Sequence, residues 1–210
     1  MGRRALILVD IQNDFVPGGA LAVKDGDAIV PIVNQLQEKF DLVVASKDWH
    51  PPDHASFAAN HPGKKVGDVI ELDGLPQVLW PVHCVQKTRG AEFVPALNTS
   101  NIAHVVYKGT DPHIDSYGAF FDNGHRRSTG LTDYLRERNA PDLFVAGLAT
   151  DYCVKFTALD ARREGFDVSL IEDACRGVNL KPGDSKNAIA EMRNAGVAIM
   201  ASNMVPGFST

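Results

Sequence analysis

The sequence lacks the features that define several large protein classes. No stretch approaches the ~20 consecutive apolar residues that span a bilayer, so we expect no membrane partner. Lysine and arginine number 21 against 26 acidic residues, giving a net charge of −5, and no basic block is present. Nucleic acids and anionic membrane surfaces bind through concentrated positive charge, so neither is an expected partner.

Cysteine is also scarce. Three cysteines, an odd number, do not make a disulfide framework. The apolar run ALILV at residues 5–9 is short and leads into polar residues rather than into a small-residue cleavage site, which argues against a signal peptide. The sequence therefore predicts a cytoplasmic enzyme or binding protein.

What the sequence does contain is an alternation of short apolar strands and amphipathic helices. The predicted strands are residues 5–10, 41–46, 103–108, 142–147, 166–173 and 196–202, and the predicted helices are 27–39, 131–138, 152–164 and 184–195. Such alternation predicts a mostly parallel sheet covered on both faces, a three-layer α/β/α fold. We expect one domain over residues 1–210, with residues 47–102 as a long functional insertion rich in Pro, His, Gly and aromatic residues.

Three reactive side chains fall near the predicted carboxyl ends of strands, where open parallel sheets bind their ligands. Asp10 and Lys108 end strands, and Cys153 follows one. A lysine ammonium favours the thiolate, and an aspartate can accept the thiol proton and return it to a leaving amine. The grouping favours a cysteine nucleophile. Taken singly, each residue has a plainer alternative, namely a packed thiol, a turn-capping carboxylate or a solvated lysine.

A second group of side chains suits a divalent metal ion. Asp48 and His50 follow the second predicted strand in KDWHPPDHASF, and His83 lies downstream in LWPVHCVQ. A carboxylate and two imidazoles are ligands of zinc, iron or manganese, and they leave positions open for water or substrate. This spacing is not specific, since histidines in loops are commonly solvated. His54 is a further candidate, either as a ligand or as a group that supports one.

The motifs that hold these residues resemble those of the nicotinamidases in the isochorismatase-like cysteine hydrolase superfamily. The similar segments run over nearly the whole chain and include ALILVDIQNDFVPGGALAV, SKDWHPPDHASFA, LDGLPQVLWPVHCVQ, YKGTDPHIDSYGAFFDN, GLATDYCVKFTALDA and IEDACRGVN. The resemblance implies that the enzyme converts nicotinamide to nicotinate and ammonia through a thioester. It also implies a place in NAD salvage and activity on pyrazinamide.

The resemblance further implies roles for individual residues. Its implied catalytic triad is Asp10, Lys108 and Cys153, and its implied ligands for one divalent ion per chain are Asp48, His50 and His83. Zinc is favoured for that ion, with iron and manganese as alternatives. The implied contacts to the substrate ring are Phe15, Trp80 and Tyr117.

Two backbone features are implied in the same way. The N–H groups of Ala149 and Cys153 are expected to hold the oxyanion, and the peptide bond between Leu148 and Ala149 is expected to be cis. His54 stays outside the primary ligand set, because related enzymes differ in whether a residue there binds the metal.

Two alternatives stay open at this level. An amidohydrolase acting on N-carbamoylsarcosine or ureidoacrylate would keep the Asp–Lys–Cys trio, but it would not need the metal ligands to hold a pyridine. A catalytically silent member would bind metal without turning over any amide. The expected partner is a small-molecule substrate, and a homo-oligomer is compatible with the sequence.

Overall fold

The computed structural model describes residues 2–207, so the two ends of the expected 1–210 domain lie outside the described residues. Within that range the strands are β1 (Arg4–Val9), β2 (Leu42–Asp48), β3 (Val69–Leu72), β4 (Leu75–Val78), β5 (His104–Lys108), β6 (Asp142–Leu148), β7 (Asp167–Arg176) and β8 (Ala198–Met200). The α-helices are α1 (Val30–Gln37), α2 (Leu131–Glu137), α3 (Lys155–Arg163) and α4 (Asp184–Asn194).

Six of these strands form one parallel sheet in the order β5-β2-β1-β6-β7-β8. Successive side chains of a strand point to opposite faces, and both faces of this sheet are covered. Ile7 packs in the apolar cluster that holds Leu131 of α2 and Met192 of α4, whereas its neighbour Leu8 packs with Val33 of α1. The predicted three-layer α/β/α fold with a parallel sheet is therefore confirmed.

The predicted elements of the sheet layers are all present, with ends shifted by a few residues. The helix expected at 27–39 is a 3₁₀ turn over Gly26–Ile29 followed by α1. The helix expected at 152–164 begins as a π-helical turn over Thr150–Val154 and continues as α3. No helix within residues 2–207 is both long and apolar enough to cross a membrane.

The long segment between β2 and β5 covers residues 49–103, because β2 extends through Asp48. It contains a hairpin that the sequence analysis did not predict, formed by β3 and β4. Asp73 and Gly74 turn this hairpin with φ angles of +51° and +79°. Asp-Gly is a strong signal for such a two-residue turn. The flanking strands are short, half-exposed and poorly alternating, which hid the signal.

Candidate active site

Four charged or nucleophilic side chains meet at the carboxyl edge of four neighbouring strands. Asp10 directly follows β1, Asp48 ends β2, Lys108 ends β5, and Cys153 lies in the π-helical turn after β6. These strands are adjacent in the sheet order, so the four side chains converge although the chain separates them. All four are buried, with exposed fractions from 0% to 7%.

Lys108 is the centre of this cluster. Its Nζ lies 2.8 Å from Asp10 Oδ2 and 3.3 Å from Cys153 Sγ, and it also contacts Asp48 Oδ1. The same ammonium donates a hydrogen bond to the carbonyl oxygen of Ser116 at 3.1 Å. Burial alone would lower the pKa of Lys108, but Asp10 and Asp48 outweigh it and raise that pKa well above its usual range. The ammonium therefore stays charged.

Asp10 is placed to act as a base. Its Oδ1 accepts a hydrogen bond from the Ser46 hydroxyl at 2.7 Å. Its Oδ2 is buried, forms an ion pair with Lys108, and has no well-aligned hydrogen bond within residues 2–207. Burial raises the pKa of Asp10 to about 6, with Lys108 opposing the rise and Asp48 adding to it. A carboxyl group with that proton affinity can both take and return a proton near neutral pH.

Cys153 rests as a thiol in this environment. Burial raises the pKa of Cys153 well above its ordinary value, and Lys108 offsets only part of that rise. The expected electrostatic help from Lys108 is therefore present but smaller than the effect of burial. Ionisation needs a local base, and the Asp10 carboxylate and the Cys153 Sγ lie within 4.8 Å of each other.

The backbone leading into this turn has the geometry that the resemblance implied. The Leu148–Ala149 peptide bond is cis, as predicted. The Ala149 carbonyl accepts hydrogen bonds from the N–H groups of Tyr152 and Val154, both at 3.1 Å. Ala149 and Cys153 line the same cavity. Their expected role in holding an oxyanion stays a prediction.

Asp48, His50 and His83 form the second cluster, and their ligand atoms lie within 4.8 Å of one another. Asp48 Oδ2 is 3.5 Å from His50 Nε2 and 3.6 Å from His83 Nε2. We call Asp48, His50 and His83 the metal cluster, and Asp10, Lys108 and Cys153 the catalytic cluster. Because Asp48 Oδ1 contacts Lys108, the Asp48 carboxylate links the two clusters. Burial would raise the pKa of Asp48, but Lys108 and His50 outweigh it and hold that pKa well below the ordinary value.

Both imidazoles are held by backbone carbonyls. His50 Nδ1 donates to the Gly109 oxygen at 2.9 Å, and His83 Nδ1 donates to the Pro81 oxygen at 2.8 Å. A carbonyl only accepts, so each Nδ1 carries a proton, and in the neutral imidazole that binds a metal each Nε2 presents a lone pair to the cluster. Such support is what metal-ligating histidines receive. The donor set fits a divalent ion.

His54 lies beside this cluster, with its ring centre 4.4 Å from that of His50. Its Nδ1 accepts the backbone N–H of Ser56 at 3.1 Å, while its Nε2 is buried with no hydrogen-bond partner within residues 2–207. Burial lowers the pKa of His54 to about 4, and the neighbouring His50 adds to the effect. The geometry groups His54 with His50 and Asp115, apart from Asp48 and His83.

A narrow cavity of about 20 Å³ joins the two clusters, with Cys153 on its wall together with Asp48 and His83. The three residues implied to contact a substrate ring, Phe15, Trp80 and Tyr117, all line it. Sequence reasoning did not single out four further lining residues. They are Leu21, Asp115, Tyr152 and Val178. Only Tyr152, next to Cys153 in the chain, carried a signal that could have been used.

Comparison with known proteins places the chain in a family. A model of the isochorismatase domain matches residues 4–204. The chain is 52% identical to a nicotinamidase of Escherichia coli over 203 residues, covering 95% of each protein. It superposes on a nicotinamidase/pyrazinamidase of Acinetobacter baumanii with a TM-score of 0.94 and 50% identity, covering 97% of this chain and 98% of that one.

A second structural relative was solved with a metal. The pyrazinamidase of Pyrococcus horikoshii in complex with zinc superposes with a TM-score of 0.77 and 40% identity, covering 94% of this chain and 98% of that one. The match of the family model and of these relatives extends over nearly the full length of the chain. The chain belongs to the isochorismatase family.

Proposed function

We propose that this protein is a nicotinamidase, an amidohydrolase that converts nicotinamide and water to nicotinate and ammonia. The observation that carries the proposal is the cavity itself. The Cys153 thiol, with Lys108 behind it, stands on one part of its wall. Asp48 and His83, two of the metal-type ligands, stand on another, and aromatic side chains also line the cavity. The relatives named above as nicotinamidases support the same substrate. Pyrazinamide, a ring amide of similar shape, is expected to be a second substrate.

The residues around the thiol can perform the acylation step. Asp10 takes the proton of the Cys153 thiol while Lys108, 3.3 Å from Sγ, stabilises the developing thiolate. The sulfur attacks the amide carbon, and the backbone N–H groups of Ala149 and Cys153 hold the oxyanion. Asp10 then delivers its proton to the leaving nitrogen. The C–N bond breaks, ammonia leaves, and a thioester to Cys153 remains.

The same residues can complete the turnover. Asp10, again a carboxylate, takes a proton from a water molecule as its oxygen attacks the thioester carbon. The C–S bond breaks, nicotinic acid leaves and loses its proton to solvent as nicotinate, and the proton on Asp10 returns to the Cys153 sulfur. One water molecule is consumed for each ammonia formed, and the enzyme ends in its starting state.

Asp48, His50 and His83 would hold one divalent ion, for which we favour zinc over iron or manganese. A bound ion supplies a Lewis-acidic position for the nitrogen of the substrate ring. What the chain itself contributes is orientation. Phe15 and Trp80 confine the ring, and Phe15 packs edge-on against His83 with ring centres 5.5 Å apart. Ring orientation of this kind presents the carboxamide to Cys153.

We also propose a cytoplasmic location with no nucleic acid or membrane partner. The three cysteines are unpaired and buried, which suits a reducing compartment, and the net charge is −5.

The decisive experiment is an ammonia-release assay with nicotinamide. The purified protein is loaded in turn with zinc, iron and manganese, and nicotinate is quantified in parallel by chromatography. Equal amounts of ammonia and nicotinate, dependent on the loaded ion, are the expected result. Folded protein that releases no ammonia with any of the three ions would overturn the proposal. Release from N-carbamoyl or ureido amides instead would identify the alternative amidohydrolase.

A further inference from the structure

Two tyrosines separate the narrow cavity from a much larger opening. The opening, which we call the vestibule, has a volume of about 570 Å³ against about 20 Å³ for the cavity. It lies between the β3–β4 hairpin and helices α3 and α4. Its apolar lining residues are Val69, Pro76, Val78, Phe156, Leu180 and Ala188. Tyr117 and Tyr152 line both spaces and so form the wall between them.

Tyr117 is the fixed part of this wall. Its hydroxyl accepts hydrogen bonds from Trp80 Nε1 at 3.2 Å and from Gln77 Nε2 at 3.1 Å. Its ring also stacks on Phe156 with ring centres 5.3 Å apart. Moving Tyr117 would leave the indole N–H of Trp80 without a partner within residues 2–207, whereas Gln77 Nε2 would keep the Val78 carbonyl and the Asp115 carboxylate.

Tyr152 is held far less firmly. Within residues 2–207 its hydroxyl makes no hydrogen bond, and the residue is only partly buried. Its ring is retained by edge-on contacts, with centres 4.8 Å from Trp80 and 5.4 Å from Tyr117. Burial, with Asp151 and Asp184 nearby, raises the pKa of Tyr152 to about 12. The phenol is therefore neutral, and swinging it moves no charge.

The route from the vestibule to Cys153 passes the wall that Tyr117 and Tyr152 form. A substrate ring that enters from this side therefore needs that wall to move. Of the two tyrosines, Tyr152 moves at the lower cost in free energy, because its hydroxyl has no hydrogen bond to break. We infer that Tyr152 is a gate: its ring swings to admit an aromatic amide from the vestibule and, when closed, excludes rings larger than a single six-membered one. This inference rests on the proposed function.

The size limit gives the first test. Values of kcat/KM are measured for nicotinamide and for quinoline-3-carboxamide, whose second ring is fused to the pyridine, with the wild type, Tyr152→Ala and Tyr152→Phe. For Tyr152→Ala the ratio of the fused to the single-ring substrate should rise by about tenfold or more, a change typical of opening an apolar pocket. For Tyr152→Phe the ratio should stay within about twofold of the wild type, because the lost hydroxyl makes no hydrogen bond.

Alkylation of Cys153 gives a second readout that needs no turnover. Each protein is treated with a bulky maleimide, and labelling is followed peptide by peptide by mass spectrometry. Cys153 should react about tenfold faster in Tyr152→Ala than in Tyr152→Phe, since the closed ring shields the thiol. Cys84 and Cys175, buried outside the wall, report unfolding in the same digest. If they also react, Tyr152→Leu, which keeps more apolar packing, replaces the alanine variant.

The outcomes separate the two proposals. An unchanged substrate ratio, or an unchanged Cys153 labelling rate, in folded Tyr152→Ala or its leucine replacement overturns the gate while leaving nicotinamide hydrolysis intact. Wild-type protein that releases no ammonia from nicotinamide overturns the proposed function. In that case the labelling rates alone decide whether Tyr152 controls access to Cys153.

Discussion

The two clusters of the site are built by different means, although they share one cavity. Asp10, Lys108 and Cys153 stand at or just beyond strand ends, so the pairing of β5, β2, β1 and β6 brings them together. His50 and His83 lie in the irregular segment 49–103, and carbonyl oxygens of Gly109 and Pro81 hold their rings. The catalytic cluster therefore depends on strand register, whereas the metal cluster depends in addition on hydrogen bonds from two histidine rings to carbonyl oxygens outside the strands.

This difference predicts which substitutions disturb only one cluster and which disturb both. Asp48 links the two, with one carboxylate oxygen toward Lys108 and the other toward the histidines. Changes elsewhere in either cluster should disturb one and spare the other.

Cys153→Ala should abolish turnover and leave metal binding unchanged. We expect turnover of nicotinamide to fall by ~10⁴-fold or more, as when a covalent nucleophile is removed. Metal content per chain, measured by mass spectrometry of the elements, should not change, since Cys153 Sγ lies outside the Asp48–His50–His83 group. Cys175→Ala is the matched control, because that thiol is buried but absent from the cavity lining. Near-wild-type turnover by Cys153→Ala would refute the nucleophile assignment.

His83→Ala should weaken metal binding and leave the catalytic cluster in place. Removal of one of three ligands should lower metal affinity by ~10²-fold or more and weaken nicotinamide binding, with little change in the melting temperature. Metal per chain after dialysis and KM for nicotinamide are the measurements. Unchanged metal stoichiometry would remove His83 from the ligand set and break the division into two clusters.

Gly109→Ala tests how the metal cluster is supported. A Cβ at this position would overlap the His50 ring, and the φ of +64° already disfavours a side chain. We expect metal affinity to fall by ~10–100-fold, the usual effect of disturbing a group that orients a ligand, measured by competition with a chelator. Gly130→Ala is the matched control, since its φ is +84° but a Cβ there meets open space. Equal losses in both variants would assign the effect to backbone strain alone.

Asp10→Asn should remove one source of pH dependence from the stability of the folded protein. The folded pKa of Asp10 is raised from 3.8 to about 6, so its ionisation costs stability above pH 6 and costs nothing below about pH 4. A non-ionising asparagine avoids that cost, and it tolerates the φ of +49° at this position. It also removes a charge partner of Lys108, a loss that does not vary between pH 4 and pH 7.5. We therefore expect the free energy of unfolding of the variant, relative to the wild type, to rise by about 2 kcal/mol from pH 4 to pH 7.5.

Urea unfolding of Asp10→Asn and of the wild type at several pH values measures this change. A difference between the two proteins that stays constant from pH 4 to pH 7.5 would contradict the argument. The result also tests whether ionisation of the buried Asp10 in the catalytic cluster destabilises the folded protein.

Sequence reasoning reached the catalytic cluster because periodic apolar strands fix where a parallel sheet has its carboxyl edge. Asp10, Lys108 and Cys153 needed only that edge, and the structure brings them together. The metal cluster followed from residue type and resemblance, since nothing local placed His83 near Asp48. Tyr152 was missed because its role depends on its hydroxyl making no hydrogen bond in the folded protein, which the sequence does not reveal. The β3–β4 hairpin was missed because its strands are short and half-exposed.

The placement of the catalytic cluster on four neighbouring strands has a consequence for folding. Asp10, Asp48, Lys108 and Cys153 become neighbours only when β5, β2, β1 and β6 have all paired, and parallel pairing closes long loops and is slow. A fragment that ends before β6 would lack the nucleophile even if its remaining strands paired. During refolding, the return of hydrolysis therefore reports completion of the four central strands, while secondary structure regained earlier does not.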